Sequence, residues 1–324
     1  MKIPIFSRIE RNCRQAFTLI EIMVATVIMV ILVGLVIQIT SEVLNVWNRS
    51  SGKLAANAEA RIAMDLLTQD LESAVLRNNG QQWLRVEGPV DVTGADIPYN
   101  NQTVALKLFA PALDREAGAG DICGIAYRLA YKEAYDQPGV ANPLKVYAIY
   151  RAMATPSDTF NFLMGSAASG SGSPQATLSE GGTTPTFWNE DSIVDNDNYL
   201  VSNVVDFKVL IYTETSIETN EPDAVNVNDS SGVLDYDYVF GGAVDPSGEP
   251  VDGSSVDTDE FVANEAPLYG DIILTIVSDE GLELLQLIND PNYPGDKSAA
   301  AVDQIVLEHG EVFTRRVNFL SRPL

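Results

Sequence analysis

The chain has 324 residues, 20 basic against 45 acidic, for a formal net charge of −25. That balance opposes extended phosphate contact, because nucleic-acid affinity rests on Lys and Arg neutralising phosphates. It equally opposes peripheral docking on anionic lipid, while the length leaves room for one large or two small domains with a real core.

Residues 1–16 read as a short basic leader, with Lys2, Arg8, Arg11 and Arg14 against Glu10. The apolar run Phe17–Ile39 follows, 23 residues with one ionisable side chain, Glu21. About 20 apolar residues at 1.5 Å rise cross a bilayer. A secretory signal has a core of only about 7–15 apolar residues and a small-residue cleavage site after it, and this run is longer and lacks the site. The basic leader sets the orientation: residues 1–16 cytoplasmic, the chain after about residue 40 outside. A plain signal anchor explains the length but not Glu21, since a carboxylate in the bilayer costs at least ~2.5 kcal/mol. Glu21 therefore calls for a partner. Loss of the leader would remove Cys13 and leave Cys123 alone, with no intramolecular disulfide.

The order of these parts, Arg14-Gln15-Ala16-Phe17-Thr18-Leu19-Ile20-Glu21 and then the apolar run, resembles the N-terminus of type IV prepilins and type II secretion pseudopilins. The resemblance implies a prepilin peptidase that cuts between Ala16 and Phe17 and methylates the new amino group. It implies that Glu21 pairs with the Phe17 amine of a neighbouring subunit. Ala16 stands where the family usually has Gly, and Gln38 where major type IV pilins have a helix-breaking Pro.

Beyond the membrane the helix is expected to continue to Asn78-Asn79-Gly80, with a break at Ser50-Ser51-Gly52. Leu44, Trp47, Leu54, Ala58, Ile62, Leu66 and Val75 recur at helical intervals and predict the packing stripe. Arg61 and Asp65, four apart, predict an intrahelical pair. A membrane anchor with a coiled-coil stalk would share this pattern. The segment Arg61–Val75 is similar to the second half of this helix in J-type minor pseudopilins, which often show an Asp-Leu pair followed by acidic and small residues. The layout also resembles Verru_Chthon cassette protein C, which carries the same leader.

After residue 80 the pattern changes to strands and turns. Strands are expected at 104–109, 124–131, 146–151, 204–212, 271–278 and around Phe313–Phe319. The apolar run 272–277 predicts a central strand. Val205, Phe207, Val209 and Ile211 share one face of 204–212. Helices are expected at 282–288 and 298–309, the second starting at Ser298 and ending at Gly310. The fold class is α+β, a long N-terminal helix packed on an antiparallel sheet. The organisation is a leader (1–16), a transmembrane half-helix (17–39), an amphipathic half (40–79) and an extracytoplasmic domain (80–324) with loops at 165–185 and 213–260.

The 213–260 stretch holds 13 acids and no Lys or Arg. Glu190, Asp191, Asp195 and Asp197, and separately Asp235 and Asp237, are candidate calcium ligands, because calcium takes six to eight oxygens. No segment has EF-hand spacing, and a solvated acidic loop explains the same composition. No other cofactor is implied. His309 is the single histidine, and no Gly-x-Ser-x-Gly elbow, phosphate loop or Cys/His set accompanies it. No enzyme is expected. The reading is a single-pass inner-membrane structural subunit whose partners are the prepilin peptidase and other pilin or pseudopilin subunits, with no nucleic acid. A minor pilin for adhesion or DNA uptake, a signal-anchored extracellular binding protein and an anchored hydrolase stay open.

Overall fold

The computed structural model describes residues 18–77, 82–92, 103–112, 120–133, 145–163, 178, 190–219, 222, 236–241, 265–290 and 292–320. The chain divides into two compact units, Met1–Ser51 and Gly52–Leu324. Helix α1 runs over Leu19–Glu72. It is helical through Ser50, Ser51 and Gly52, where a break was expected. One Gly costs a helix ~1 kcal/mol, too little by itself to end a helix of 54 residues. The helix stops at Glu72, short of the Asn-Asn-Gly signal.

In the second unit two antiparallel sheets meet the C-terminal part of α1. The six-stranded sheet has the order β5-β4-β3-β2-β1-β7. Its strands are β1 (Leu84–Gly88), β2 (Ala105–Ala110), β3 (Cys123–Glu133), β4 (Lys145–Met153), β5 (Tyr199–Ser202) and β7 (Tyr236–Phe240). The three-stranded sheet has the order β6-β8-β9, formed by β6 (Val204–Tyr212), β8 (Tyr269–Val277) and β9 (Gly310–Asn318). β8 is central, as its two apolar faces predict. β3 and β4 pair antiparallel with Tyr131 opposite Tyr147. Two elements, α4 (Glu214–Thr219) and β7, lie within the stretch read as the loop 213–260. Residues 165–177 and 179–185 of the other expected loop are outside the described residues.

A single residue carries the chain from one sheet to the other. β5 ends at Ser202, β6 starts at Val204, and Asn203 between them has φ +63°. Asn tolerates this left-handed conformation better than most residues. Its side-chain amide donates to Asp279 Oδ1 at 3.0 Å, at the start of α5 (Asp279–Asn289). The second late helix, α6 (Ala299–His309), is capped by Ser298, whose hydroxyl accepts from Ala301 N, and β9 follows it directly at Gly310. α5 comes so near His309 that a Cβ on Gly281 would lie 2.6 Å from the His309 Cβ.

The core is built on a different helix face from the one expected. Ala60, Ala63, Met64, Leu67, Leu71 and Ala74 are buried, in one cluster with Leu106, Leu108, Ile125, Tyr127, Phe207, Val209 and Leu274. Leu54 and Ile62 of the expected stripe are 68% and 60% exposed. The buried face uses small residues, which let the helix backbone approach the sheets, and places leucines where depth is available. The other stripe is larger in side-chain volume: Leu54, Ala58 and Ile62 remain outside, while Leu66 and Val75 are half-buried.

The six-stranded sheet is buried on both faces. Its far face carries Trp83, Phe109, Ala126 and Ala152 under Leu163, Leu178 and Ile193. Arg85 and Lys107, directly opposite one another, share this face. Both are buried and both reach Glu87, Arg85 Nη2 at 2.6 Å and Lys107 Nζ at 3.4 Å. Two buried cations share one acid, and the pairing with Glu87 offsets part of the cost of burying them.

A buried polar link ties the helix to the sheet. Asp70 of α1 is 2% exposed and accepts from the Tyr127 hydroxyl. Arg151 of β4 donates to it as well. The expected Arg61–Asp65 pair is replaced: Asp65 accepts from Arg315 Nη1 of β9 at 2.6 Å. A partner held by a strand loses less freedom on pairing than a mobile Arg four residues away.

Candidate processing and assembly site

The start of α1 is set by local chemistry. Thr18 Oγ1 accepts from Glu21 N at 3.4 Å, while Glu21 Oε2 accepts from Thr18 N at 2.9 Å and from Thr18 Oγ1 at 2.9 Å. This is a reciprocal capping box, in which a Thr and a Glu three residues on satisfy each other's exposed amides. The Thr18-Leu-Ile-Glu21 spacing is its signature, and the sequence reading had not drawn it out. The box uses one oxygen of Glu21. Oε1 accepts no hydrogen bond among the described residues. Ala16 and Phe17 lie outside the described residues.

Past the box, over 22–37, the helix is apolar all round, with Thr26 the one polar side chain. Every side chain from Leu19 to Trp47 is exposed, including Leu19 at 77% and Val30 at 71%. A helix with no polar face needs apolar surroundings, and this one is long and apolar enough to cross a membrane. The two hydroxyls within Leu19–Thr40 are satisfied internally: Thr26 Oγ1 donates to Met23 O at 2.8 Å and Thr40 Oγ1 to Val36 O at 2.7 Å. Glu21 shares a shallow groove with Ile20, Val24, Ala25 and Ile28, so the carboxylate borders an apolar surface rather than a polar one.

The candidate calcium residues fall at a turn. Asp191 is exposed in the short helix α3 (Glu190–Ile193), and the side chain of Glu190 is outside the described residues. Asp195 caps the following 3-10 turn, accepting from Asp197 N at 3.2 Å. Asn198 Nδ2 occupies the carbonyls of Ser192 and Ile193 at 2.9 and 3.2 Å. Asp235 lies outside the described residues, and Asp237 stands opposite Glu87 in the β1–β7 ladder. Among the described residues no three His, Cys, Asp or Glu gather closely enough to hold a metal ion. His309 ends α6 with Nδ1 3.8 Å from Glu280 Oε2, a favourable place for a ring near a helix C-terminus.

Residues 11–37 match the prokaryotic N-terminal methylation motif. The motif is consistent with a type IV pilin-like protein, and it implies a prepilin peptidase substrate and pilin-type assembly. Pilin-like families are structural rather than enzymatic, and the one candidate spanning helix among the described residues suits a membrane-anchored protein. No curated protein and no solved structure matches the chain.

Proposed function

We propose that this protein is a minor pseudopilin-type subunit of a protein-secretion or pilus fibre. The peptidase cuts between Ala16 and Phe17 and methylates the Phe17 amine. Phe17–Ile39 then holds the subunit in the inner membrane, N-terminus cytoplasmic and the second unit periplasmic, until it is drawn into the fibre. There Glu21 pairs with the Phe17 amine of a neighbour. The supporting observation is the state of Glu21: one oxygen is committed to the helix cap and the other accepts no hydrogen bond among the described residues, on a helix with no polar face. An ammonium at Oε1 would complete the carboxylate without undoing the cap. Because an unpaired charge in apolar surroundings is penalised, wrong staggers between subunits would cost more than the right one.

The test is the intact mass and N-terminal sequence of membrane-extracted protein made with an active prepilin peptidase. A chain starting at N-methylated Phe17 is expected. A chain that retains Met1, with a control substrate fully cut, overturns the reading in favour of a plain signal anchor.

A further inference from the structure

The apolar surface of α1 continues past the residues that a bilayer core requires. Val43, Leu44 and Val46 are 59%, 55% and 66% exposed, and Trp47 is 71% exposed. Only two ionisable residues lie between Leu19 and Trp47, namely Glu21 and Glu42, 21 positions apart. At 1.5 Å per residue that separation is about 32 Å, against a hydrocarbon core of about 30 Å. The two carboxylates therefore bracket one core thickness. Trp47 lies five positions beyond Glu42, about 7.5 Å further along the axis. Headgroups add about 5–7.5 Å on each side of the core. Trp47 shares a shallow groove with Ile39, Glu42, Val43, Val46 and Ser50.

We propose that Trp47 is an interfacial anchor, its indole lying in the lipid headgroup layer at the C-terminal end of the span, with Glu42 at the boundary between headgroups and acyl chains. An indole suits that layer because its ring is apolar and its N–H needs a polar partner. The anchor sets the depth of the helix. With Trp47 held among headgroups, Glu21 falls at the opposite boundary of the core rather than inside it, so its carboxylate stays near polar groups before any neighbour arrives. This inference rests on the membrane-spanning reading of α1.

The test uses the full chain, wild type and Trp47→Phe, in phosphatidylcholine–phosphatidylglycerol vesicles carrying a nitroxide quencher either near the headgroup or near the end of the acyl chain. Subtracting the variant's emission from the wild type's isolates Trp47, since Trp83 and Trp188 are common to both. The substitution is at an exposed helix position and leaves the fold intact. The expected result is stronger quenching of the Trp47 signal by the shallow label than by the deep one. No quenching by either label, or stronger quenching by the deep one, overturns the anchor. A reporter near mid-span, Leu32→Trp in the Trp47→Phe chain, separates the two levels. A deep-quenched reporter beside an unquenched Trp47 defeats the anchor alone. A reporter quenched by neither label defeats the membrane-spanning reading and the anchor with it.

Discussion

Arg151 of β4 grips Asp70 of α1 with two nitrogens, Nε at 2.9 Å from Oδ2 and Nη2 at 3.3 Å from Oδ1. The same Nε lies 3.0 Å from the Tyr127 hydroxyl, which in turn donates to Asp70. Three strongly buried groups from a helix and two strands thus satisfy one another. Removing one partner of such a pair leaves a charge buried without compensation, at a cost of about 3–5 kcal/mol. Asp70→Ala should lower the unfolding free energy of the detergent-solubilised chain by that amount in a denaturant titration. Adding Arg151→Met to it should recover part of the loss, because the orphaned cation is gone. A double variant no better than Asp70→Ala would sink the argument.

Asp65, five positions earlier on the same helix, provides the contrast. Its partner Arg315 is closer, at 2.6 Å, but the two side chains are 60% and 42% exposed. Solvent screening should hold Asp65→Ala to less than about 1 kcal/mol. The remainder should shrink further in added salt. A loss matching that of Asp70→Ala would mean that distance outweighs burial here.

The two apolar stripes of α1 make opposite predictions. Leu67 and Leu71 are fully buried, so truncating either to Ala should cost about 2–5 kcal/mol. Leu54→Ala and Ile62→Ala should leave the same unfolding curve unchanged within about 0.5 kcal/mol. In the proposed fibre their effect should appear as reduced incorporation, read by crosslinking sheared fibres.

Alkaline pH should loosen the core. Burial, with the nearby Asp70 charge, pushes the Tyr127 hydroxyl well above its ordinary value, and burial with Tyr199 pushes Tyr150 up to about 12. A phenol whose folded value is raised keeps its proton while the unfolded chain loses it. Its stabilisation is complete below pH 10 and disappears as pH climbs through the folded value. Unfolding free energy should therefore fall between pH 10 and 12. Tyr150→Phe should flatten part of that slope at little cost near neutrality, because the Tyr150 hydroxyl has no hydrogen-bond partner among the described residues. Tyr127→Phe should be costly, since Asp70 then loses a donor.

For Glu21 the useful change is Glu21→Gln. Gln serves in a capping box as Glu does, so the helix start and membrane insertion should persist. The charge that would meet the Phe17 amine is removed, so fibre incorporation should drop. Normal incorporation of Glu21→Gln would leave the cap as the main task of this residue.

Elements with a strong local pattern were legible in the sequence. β6 has the expected bounds, β8 is central as its apolar run demands, and α6 starts and stops at Ser298 and Gly310. β1, β5 and β7 passed unread, since they are only four or five residues long and gain their stability from the neighbours they pair with. The packing face of α1 was misread because large apolar side chains outweigh alanine in any periodicity count, whereas close helix–sheet contact favours alanine. Asp70 and Arg151 are 81 residues apart, so their pairing depends on how helix and sheet are juxtaposed, which no local pattern encodes. The N-terminal motif was legible because its parts act locally: charge, a small residue, one acid and an apolar run.

The hydroxyls of Thr26 and Thr40 are each closed onto a carbonyl of their own helix. Their hydrogen bonds travel with the segment and need nothing from what lies beside it. Such a helix can exchange acyl chains for the flank of another helix without breaking or remaking a hydrogen bond at either residue. The transfer then turns on packing and on the two terminal carboxylates, so one segment can be at home in lipid and in a protein bundle alike.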